Sequence, residues 1–240
     1  AVFVTGATSG IGLSCVRAFA REGARVLFCG RRADRLDRLA GEVKAEFGVP
    51  VRSFVLDVRD LAAVIAAVAG LPAEWAGIDV LVNNAGGALH TPYVLEEIQE
   101  KDWNLVVDVN LKGSFYCCQA VIPEMTKQGK GVIVNMSSVV RHGNRGQSNY
   151  VSAKAALAAN TVTWAREFAP FGIRVGAIAP GMVETPMTRG MNQKARERLI
   201  AAIPVGRVGV PEDIWRAVCF IFECDYFNGR CVDVDGGLSA

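Results

Sequence analysis

The stretch VTGATSGIG at residues 4–12 decides the fold, because three glycines join an apolar strand to the start of a helix. Gly6 suits a tight turn. Gly10 and Gly12 leave room for the backbone to approach a pyrophosphate, whose charge suits the free N–H groups of a helix N-terminus. The spacing is GxxxGxG rather than the general GxGxxG. In this setting of strand, turn and helix, the glycines predict a nucleotide-binding turn.

Six more apolar runs follow this stretch, and helical patterns separate them. The seven predicted strands cover residues 1–5, 25–30, 51–58, 79–86, 131–138, 172–181 and 229–237. The clearest helical patterns cover about 11–22, 102–128, 150–170 and 211–223. Strands that are apolar on both faces and alternate with helices imply a parallel sheet covered on both sides. The pattern predicts an α/β, three-layer, doubly wound Rossmann fold, with residues 1–240 as a single domain.

Composition narrows the function classes. The chain has 240 residues, of which 51% are hydrophobic, which is ample for the core of such a domain. Its 26 basic and 24 acidic residues nearly cancel, so the charge gives no support for binding nucleic acid or a membrane surface. No apolar stretch approaches the roughly 20 residues of a membrane span. The start, AVFVTG, has no basic leader, so we expect no signal peptide and a cytoplasmic location.

Cysteine and histidine usage argues against a metal site. The seven cysteines include no CxxC motif, and most lie in apolar runs, which is typical of reduced, buried thiols. His90 and His142 are the two histidines, too few to favour a metal centre or a serine–histidine–aspartate triad.

The end of the second strand, CGRRADRL, bears on the choice of nucleotide. An acidic residue there would bind a ribose 2′-hydroxyl, but Arg31 and Arg32 take its place. Guanidinium groups fit a phosphate, so the sequence favours NADP(H), with NAD(H) still possible. Two solvated arginines at a helix start are the alternative interpretation.

Two later strand ends add candidate nucleotide contacts. Asp57 and Val58 follow the third strand, where they can meet an adenine edge. In NNAG, Asn83, Ala85 and Gly86 can let the backbone approach the cofactor ribose. As a turn without a function, NNAG would be unremarkable.

Tyr150 and Lys154 lie four positions apart in NYVSAKAAL (149–157), so they share one face of a helix. A nearby ammonium lowers the pKa of a phenol, which prepares it for proton transfer. In isolation the pair fits an ordinary packed aromatic and a solvated charge better.

Six motifs together carry a family resemblance. TGATSGIG, NNAG, Asn110 within VNLKG, the serines at 137–138, YVSAK and PGMVET occur in the order and spacing of the classical short-chain dehydrogenase/reductase family. The resemblance covers essentially the whole chain. Any one motif is ambiguous, whereas all six in order are highly specific.

The resemblance implies four catalytic residues. Tyr150 is then the general acid/base, and Lys154 lowers its pKa and holds the nicotinamide ribose. Ser138 orients the substrate oxygen, and Asn110 holds a water that links Lys154 to solvent. Successive residues that leave a strand face opposite ways, so only one of the two serines can point at the substrate carbonyl. Ser138 is chosen because it is the second serine of the pair that leaves the strand, and Ser137 remains the alternative.

The resemblance also implies cofactor contacts in the first turn and after the sixth strand, with a substrate lid over about 186–206. These contacts are Gly6, Thr8, Ser9, Gly10, Ile11, Gly12, Pro180, Gly181, Val183 and Thr185.

The expected substrate walls, 87–95, 139–147 and the lid, mix apolar and basic side chains. His90, Arg141, His142, Arg145 and Arg189 can meet an anionic or carrier-linked substrate, or they are exposed loop charges. GNRGQSNY and the ending DYFNGR…DVDGG resemble the 3-oxoacyl-carrier-protein reductase branch. This implies NADPH-dependent reduction of a ketone in a 3-oxoacyl thioester.

Partners and rival functions stay open. Lys127 and Lys130 give a modest basic edge for a carrier protein, whereas Phe171 adds no charge to the facing edge.

The resemblance implies a homotetramer built through the helices at about 103–128 and 150–170 and the last helix and strand, with a dimer as the alternative. The rival functions are an NAD-dependent polyol or secondary-alcohol dehydrogenase, which Arg31 and Arg32 disfavour, and a non-catalytic NADP sensor.

Overall fold

The seven predicted strands form one parallel sheet. The computed structural model describes residues 1–88 and 94–239, apart from the side chains at positions 187, 189 and 195. The strands are β1 (Val2–Thr5), β2 (Val26–Gly30), β3 (Val51–Val55), β4 (Val80–Asn83), β5 (Gly131–Met136), β6 (Ile173–Pro180) and β7 (Cys231–Val234). Their order is β3-β2-β1-β4-β5-β6-β7, and every neighbouring pair is parallel. The order changes direction between β1 and β4, where such sheets bind ligands. The predicted fold is confirmed.

Several strands end earlier than predicted, because their polar ends turn out of the sheet. The predicted strands 51–58 and 79–86 stop at Val55 and Asn83. After β3, the Asp60 N–H donates to the Asp57 carbonyl at 3.1 Å, which closes a turn. After β4, the Asn84 N–H donates to the Val82 carbonyl at 3.0 Å. The candidate cofactor contacts therefore lie on turns just beyond the sheet.

Helices cover both faces of the sheet. They are α1 (Gly10–Arg21), α2 (Ala33–Phe47), α3 (Leu61–Ala69), α4 (Glu100–Val107), α5 (Gly113–Gln128), α6 (Ser148–Phe168), α7 (Pro186–Arg189), α8 (Gln193–Ala202) and α9 (Pro211–Glu223). Side chains of α1, α2 and α9 pack on one face, and those of α3, α5 and α6 pack on the other. Alternate strand residues supply the two cores, as the parallel-sheet pattern predicts: Val4 and Phe28 face one, Phe3 and Leu27 the other.

A five-residue π-helical turn, Asp108–Lys112, joins α4 to α5. By length and composition alone, the resulting stretch Glu100–Gln128 is apolar enough to cross a membrane, contrary to the expectation from the sequence. A core helix meets the same criteria. Val121 and Met125 are fully buried in the core cluster beneath the sheet, which indicates that this stretch is such a helix.

All seven cysteines are free thiols. Four of them, Cys15, Cys29, Cys117 and Cys118, are buried. Burial raises the pKa of Cys15, Cys29 and Cys118 to about 12, so these thiols are protonated at neutral pH. Among the described residues, no cluster of histidine, cysteine or carboxylate side chains is arranged to hold a metal.

Candidate active site

A cavity of about 640 Å³ lies beyond the carboxyl ends of the strands. It is lined by eighteen of the predicted site residues: Gly6, Thr8, Ser9, Gly10, Ile11, Arg31, Arg32, Asp57, Val58, Ala85, Gly86, Ser138, Tyr150, Lys154, Pro180, Gly181, Val183 and Thr185. Three predicted residues, Gly12, Asn83 and Asn110, do not line it. The cavity thus brings the nucleotide turn and the candidate catalytic side chains into one space.

The glycine turn has the geometry that an anion site needs. Gly6 and Gly10 have φ values of +66° and +57°, a region that favours glycine. A Cβ on Gly6 would lie 2.7 Å from the Cα of Ala85, so the turn packs directly on the end of β4. Ser9 begins α1 without a side-chain hydrogen bond to the helix. The first N–H groups of α1 therefore have no side-chain cap and can bind a phosphate.

Gly12 supports this turn from behind instead of contacting the cavity. A Cβ there would lie 2.4 Å from the amide nitrogen of Asn84 and 2.6 Å from the Gly6 carbonyl oxygen. The Asn84 side chain donates to the carbonyls of Thr5 and Gly6 at 3.0 and 3.1 Å. Asn84, which was not predicted as a site residue, thus ties the turn after β4 to the glycine turn.

The predicted backbone approach of Asn83 to the cofactor ribose stays a prediction, and Asn83 does not line the cavity. Its side chain is buried and donates to the Asn135 amide oxygen at 2.9 Å and to the Cys118 sulfur at 3.2 Å. The Asn135 side chain then donates to the Thr161 hydroxyl at 2.9 Å. Consecutive strand residues face opposite layers, so one asparagine of NNAG enters the core and the next supports the turn. That alternation was the signal that could have separated Asn83 from Asn84.

Arg31 and Arg32 line the end of the cavity where the sequence predicts the adenosine, and Arg59 lies beside Asp57 in the same region. Arg32 donates to the Thr8 hydroxyl at 2.7 Å, and the exposed Arg31 acts electrostatically on Asp57. Neither Arg31 nor Arg32 forms an ion pair with a described carboxylate. Arg59, which was not predicted, donates two hydrogen bonds to the Asp57 carboxylate, from Nε at 3.0 Å and from Nη2 at 2.5 Å. These hydrogen bonds hold the pKa of Asp57 below its usual value.

The helical face that bears Tyr150 and Lys154 opens on the other end of the cavity. Lys154 is only 4% exposed, and its Nζ donates to the Met136 carbonyl at 2.6 Å. The same Nζ lies 5.5 Å from the centre of the Tyr150 ring. Helical spacing thus brings the two groups together as predicted.

The electrostatics of this pair differ from the expectation. Burial lowers the pKa of Lys154 to about 7, so its ammonium is only partly populated at neutral pH. Burial also raises the pKa of Tyr150, and a hydrogen bond with Ser138 opposes that rise. The predicted lowering of the Tyr150 pKa by Lys154 stays a prediction, because in this structure desolvation is the largest effect on the phenol and acts in the opposite direction.

The two adjacent serines point in different directions. The Ser137 hydroxyl donates to the Lys154 carbonyl at 2.9 Å, so it is bound to the backbone of α6. The Ser138 hydroxyl lies close enough to Tyr150 to lower its pKa, and it accepts from the Val140 N–H at 3.4 Å, where a 3₁₀ turn at Val139–His142 begins. Of the two, Ser138 has the geometry to share a substrate oxygen with Tyr150.

Asn110 is fully buried in the π-helical turn. Its side chain accepts from the Gly87 N–H at 3.0 Å and donates to the carbonyls of Gly87 and Val106 at 2.8 and 2.9 Å. These bonds hold the turn that contains Gly86, where a Cβ would come 2.4 Å from the Asn110 amide oxygen. The side-chain amide of Asn110 thus bonds to backbone groups on both its oxygen and its nitrogen. The water relay through Asn110 stays a prediction.

The segment after β6 forms the last wall of the cavity. Gly181 lies against the C-terminal segment, where a Cβ would come 2.6 Å from the Asp235 Cβ. Thr185 caps α7, and the Thr188 hydroxyl donates to the Val183 carbonyl at 2.8 Å. The cavity is also lined by Ser137, the alternative catalytic serine, and by Gly87, Pro186 and Thr188 of the predicted substrate walls. The lining residues that were not predicted are Cys29, Gly30, Leu56, Asn84, Val109 and Met136.

The predicted substrate walls are only partly within the described residues. His90 and the Arg189 side chain lie outside them, whereas His142 and Arg145 are exposed. Arg141 is not free for an anionic substrate, since both of its terminal nitrogens bond to Asp233, at 2.6 and 2.9 Å. The predicted lid, 186–206, contains α7 and α8, and an ion pair from Arg196 to Glu184 joins α8 to the segment after β6.

These features fit a dinucleotide. The cavity is large enough for an elongated ligand, its middle is a helix N-terminus reached through glycines, and its outer end is basic. Tyr150 and Lys154 lie at the opposite end, where a nicotinamide would meet them.

The chain is similar to known proteins of one enzyme family. The family model of short chain dehydrogenases matches residues 1–196. A 3-oxoacyl-[acyl-carrier-protein] reductase FabG of Thermotoga maritima is 43% identical, over 98% of this chain and 96% of that protein. One from Chlamydia muridarum is 36% identical, over 100% and 97%.

Solved structures give the same result. Levodione reductase superposes with a TM-score of 0.93 at 32% identity, covering 99% of this chain and 96% of that chain. A putative gluconate dehydrogenase from Agrobacterium tumefaciens gives 0.94 at 30%, covering 100% and 95%. The chain belongs to the short chain dehydrogenase family and is an NAD(P)-dependent oxidoreductase acting on CH–OH and keto groups.

Proposed function

We propose that this enzyme is an NADPH-dependent reductase of 3-oxoacyl thioesters. The observation that carries the proposal is that Ser138, Tyr150 and Lys154 meet at one end of a cavity whose other end is basic. Relatives named 3-oxoacyl-[acyl-carrier-protein] reductase match almost the entire chain, which supports the substrate class.

The residues that would hold the cofactor follow from their places in the cavity. The N–H groups at the start of α1 would bind the pyrophosphate, and Arg31 and Arg32 would bind a 2′-phosphate. Lys154 would bind the nicotinamide ribose, and Val183 and Thr185 would bind the carboxamide. When bound, NADPH supplies the hydride that reduces the carbonyl carbon.

The protein supplies the proton and the orientation. As the carbonyl oxygen gains negative charge, Tyr150 donates its phenolic proton to it, so that hydride and proton together give a 3-hydroxyacyl thioester. Ser138 donates a hydrogen bond to the same oxygen and holds it beside the phenol. The protonated fraction of Lys154 then stabilises the tyrosinate until solvent restores the proton.

Steady-state kinetics with acetoacetyl-CoA, a soluble 3-oxoacyl thioester, test this proposal. We expect kcat/KM to be at least about tenfold higher with NADPH than with NADH, since a phosphate and two guanidinium groups form charge-assisted bonds. Arg32→Met should reduce this preference, whereas Arg38→Met, on the exposed face of α2, should preserve it. A tenfold preference for NADH would contradict the cofactor proposal, and no turnover of the thioester would contradict the substrate.

A second candidate is oxidation of a polyol or secondary alcohol with NAD. Solved structures that resemble this chain include levodione reductase and a putative gluconate dehydrogenase, so this architecture also accompanies small, carrier-free substrates. The same assay run with NAD and a panel of polyols distinguishes the two. Faster turnover of any polyol than of acetoacetyl-CoA would favour the second candidate.

The partners are also proposals. We propose a cytoplasmic homotetramer, supported by exposed apolar side chains on the long helices: Phe115 on α5 and Val162 on α6 are 43% and 37% exposed. Carrier-protein docking at Lys127 and Lys130 has weaker support. Their ammonium groups are partly neutralised by Glu124 and Asp79, at 3.1 and 2.8 Å.

A further inference from the structure

We propose that Arg141 is a positioning residue, which holds Ser138 in place by linking its backbone to Asp233 on the far edge strand. This inference rests on the proposed role of Ser138 in orienting the substrate oxygen. The sequence makes Arg141 a possible substrate contact, but in the structure its guanidinium is bonded to Asp233. Positioning Ser138 would give this side chain a different function.

One end of the link is the carbonyl of Ser138. The Arg141 N–H donates to this oxygen at 3.1 Å, and the Arg141 Nη1 donates to it at 3.3 Å. Both bonds fix the peptide plane that follows Ser138, but the first joins backbone atoms and remains when the side chain is changed, so the side-chain link consists of the second. Because the Cα of Ser138 belongs to this plane, a displacement of the plane would shift the Cα and Cβ and move the hydroxyl relative to Tyr150.

The other end is a two-pronged ion pair. The Arg141 Nη1 and Nη2 donate to the two carboxylate oxygens of Asp233 at 2.6 and 2.9 Å, the parallel geometry in which guanidinium and carboxylate bind most firmly. The Arg141 side chain is 11% exposed and that of Asp233 is 40% exposed, so the pair is partly shielded from water. Asp233 lies in β7, in register with Ala179 of β6. The guanidinium is therefore anchored to the sheet.

The neighbouring serine has its own anchors. The Ser137 N–H donates to the Ile178 carbonyl at 2.7 Å, and its hydroxyl donates to the Lys154 carbonyl at 2.9 Å. These bonds hold the chain up to Ser137 whether or not Arg141 is present. Loss of Arg141 should therefore loosen the chain from Ser138 onward and leave Lys154 and the nucleotide turn in place.

Arg141→Met tests this role, because methionine keeps much of the apolar stem but lacks the guanidinium group that bonds to Ser138 and Asp233. We expect kcat for acetoacetyl-CoA to fall by about 10- to 100-fold, as small displacements of reacting groups do. The Kd for NADPH, measured by protein fluorescence, should stay within about twofold. Arg141→Lys, which can form only one of the bonds, should retain an intermediate kcat. Asp233→Asn removes the partner charge and serves if Arg141→Met fails to fold.

Arg17→Met is the matched control. Arg17 forms ion pairs with Glu42 and Glu46 between α1 and α2, in the helical layer that does not contain Tyr150. Its loss should change the midpoint of thermal unfolding about as much as the loss of Arg141, without the drop in kcat.

A double-mutant cycle with Ser138→Ala separates positioning from general damage. If Arg141 acts through Ser138, Arg141→Met should lower kcat no further once the hydroxyl is gone. Additive losses, or a folded Arg141→Met enzyme with kcat unchanged, would overturn the inference while leaving the proposed function intact. If Ser138→Ala itself keeps full activity, the proposed role of Ser138 fails, and this inference fails with it.

Discussion

At the scale of single residues, Lys154 is a cation in surroundings that disfavour its charge. It is almost fully buried, and one short hydrogen bond to the Met136 carbonyl replaces its water shell. Burial lowers its pKa to about 7. Near neutral pH the amine can therefore gain or lose a proton at little cost, which is useful in a site that transfers a proton in each turnover.

The shift of Lys154 predicts how stability depends on pH. In the unfolded chain the amine keeps its proton up to the ordinary pKa of 10.5, whereas in the folded protein it loses the proton above about 7. Between these values the unfolded state binds more protons, so this residue makes the free energy of unfolding rise with pH. Below pH 7 the cost of burying the charge is fully present.

Urea denaturation of the cofactor-free wild type and of Lys154→Met, each at pH 7.0 and 8.5, checks this prediction. The free energy of unfolding of the wild type should rise relative to that of the variant, by at most about 1.4 kcal/mol per pH unit from this one group. The difference between wild type and variant removes the opposing effect of the buried cysteines, whose raised pKa values destabilise the fold at higher pH. A wild-type stability that fell relative to the variant as the pH rose would contradict the assignment.

Tyr150→Phe should abolish most of the activity, because the ring keeps its packing but loses the proton. We expect kcat for acetoacetyl-CoA to fall by about 10²- to 10⁴-fold, the usual contribution of a general acid. Binding of NADPH, followed by fluorescence titration, should change little. Tyr116→Phe on α5 is the matched control and should keep its activity. Retained turnover in Tyr150→Phe would rule out the proposed mechanism.

The sequence identified which residue types meet at the site, but not where each one points. Helical spacing placed Tyr150 and Lys154 on one face, the family resemblance made them a catalytic pair, and the structure brings them together. The different side-chain contacts of Asn83 and Asn84 could not be predicted, because a motif of four letters does not reveal which asparagine faces the core. The partner of Arg141 could not be predicted, because Asp233 is 92 residues away and becomes its neighbour only through the order of the strands.

At the scale of elements, an ion pair attaches α8 of the predicted lid to the cavity wall. The Arg196 guanidinium donates to the Glu184 carboxylate at 2.5 Å, and Glu184 immediately precedes Thr185 in the cavity wall. The two side chains are 31% and 24% exposed, so the pair is partly screened by solvent. It joins the lid to the segment that we propose binds the carboxamide.

Arg196→Met should loosen α8. A partly exposed ion pair contributes about 0.2–1 kcal/mol, so amide hydrogen exchange in Gln193–Ala202 should quicken by up to about fivefold. Exchange in α6 should not change, and Arg198→Met on the same helix is the control. Equal exchange rates in wild type and Arg196→Met would show that the ion pair does not hold the lid.

Element order was predictable because apolar runs and helical patterns alternate clearly, but the break between α4 and α5 was not. The π-helical turn at Asp108–Lys112 follows from the hydrogen bonds of Asn110 to Val106 and to the turn at Gly87. Nothing in VNLKG itself indicates a widened turn, since the bonds that stabilise it come from a loop elsewhere in the chain.

At the scale of the whole molecule, the exposed apolar side chains predict assembly. Phe115→Glu should split the proposed tetramer, because a carboxylate placed in a buried contact cannot be solvated. Light scattering coupled to size-exclusion chromatography measures the mass directly. Ile65→Glu on α3, which changes a side chain of similar exposure (44%), is the control and should leave the mass unchanged. An unchanged mass for Phe115→Glu would place the interface elsewhere.

The buried contact between Asn83 and Asn135 has a consequence for how the sheet assembles. β4 reads VLVN and β5 reads VIVN, and their asparagines are aligned in the register of the two strands. A slip by two residues would keep the valines facing the same way and match apolar side chains almost as well. It would also leave both amides in the core opposite hydrocarbon, without their hydrogen bonds. The hydrogen bond between the two amides therefore destabilises a misaligned pairing of β4 and β5 relative to the native one. The central strands then assemble in one alignment, which brings the carboxyl ends that carry the active site to the same level.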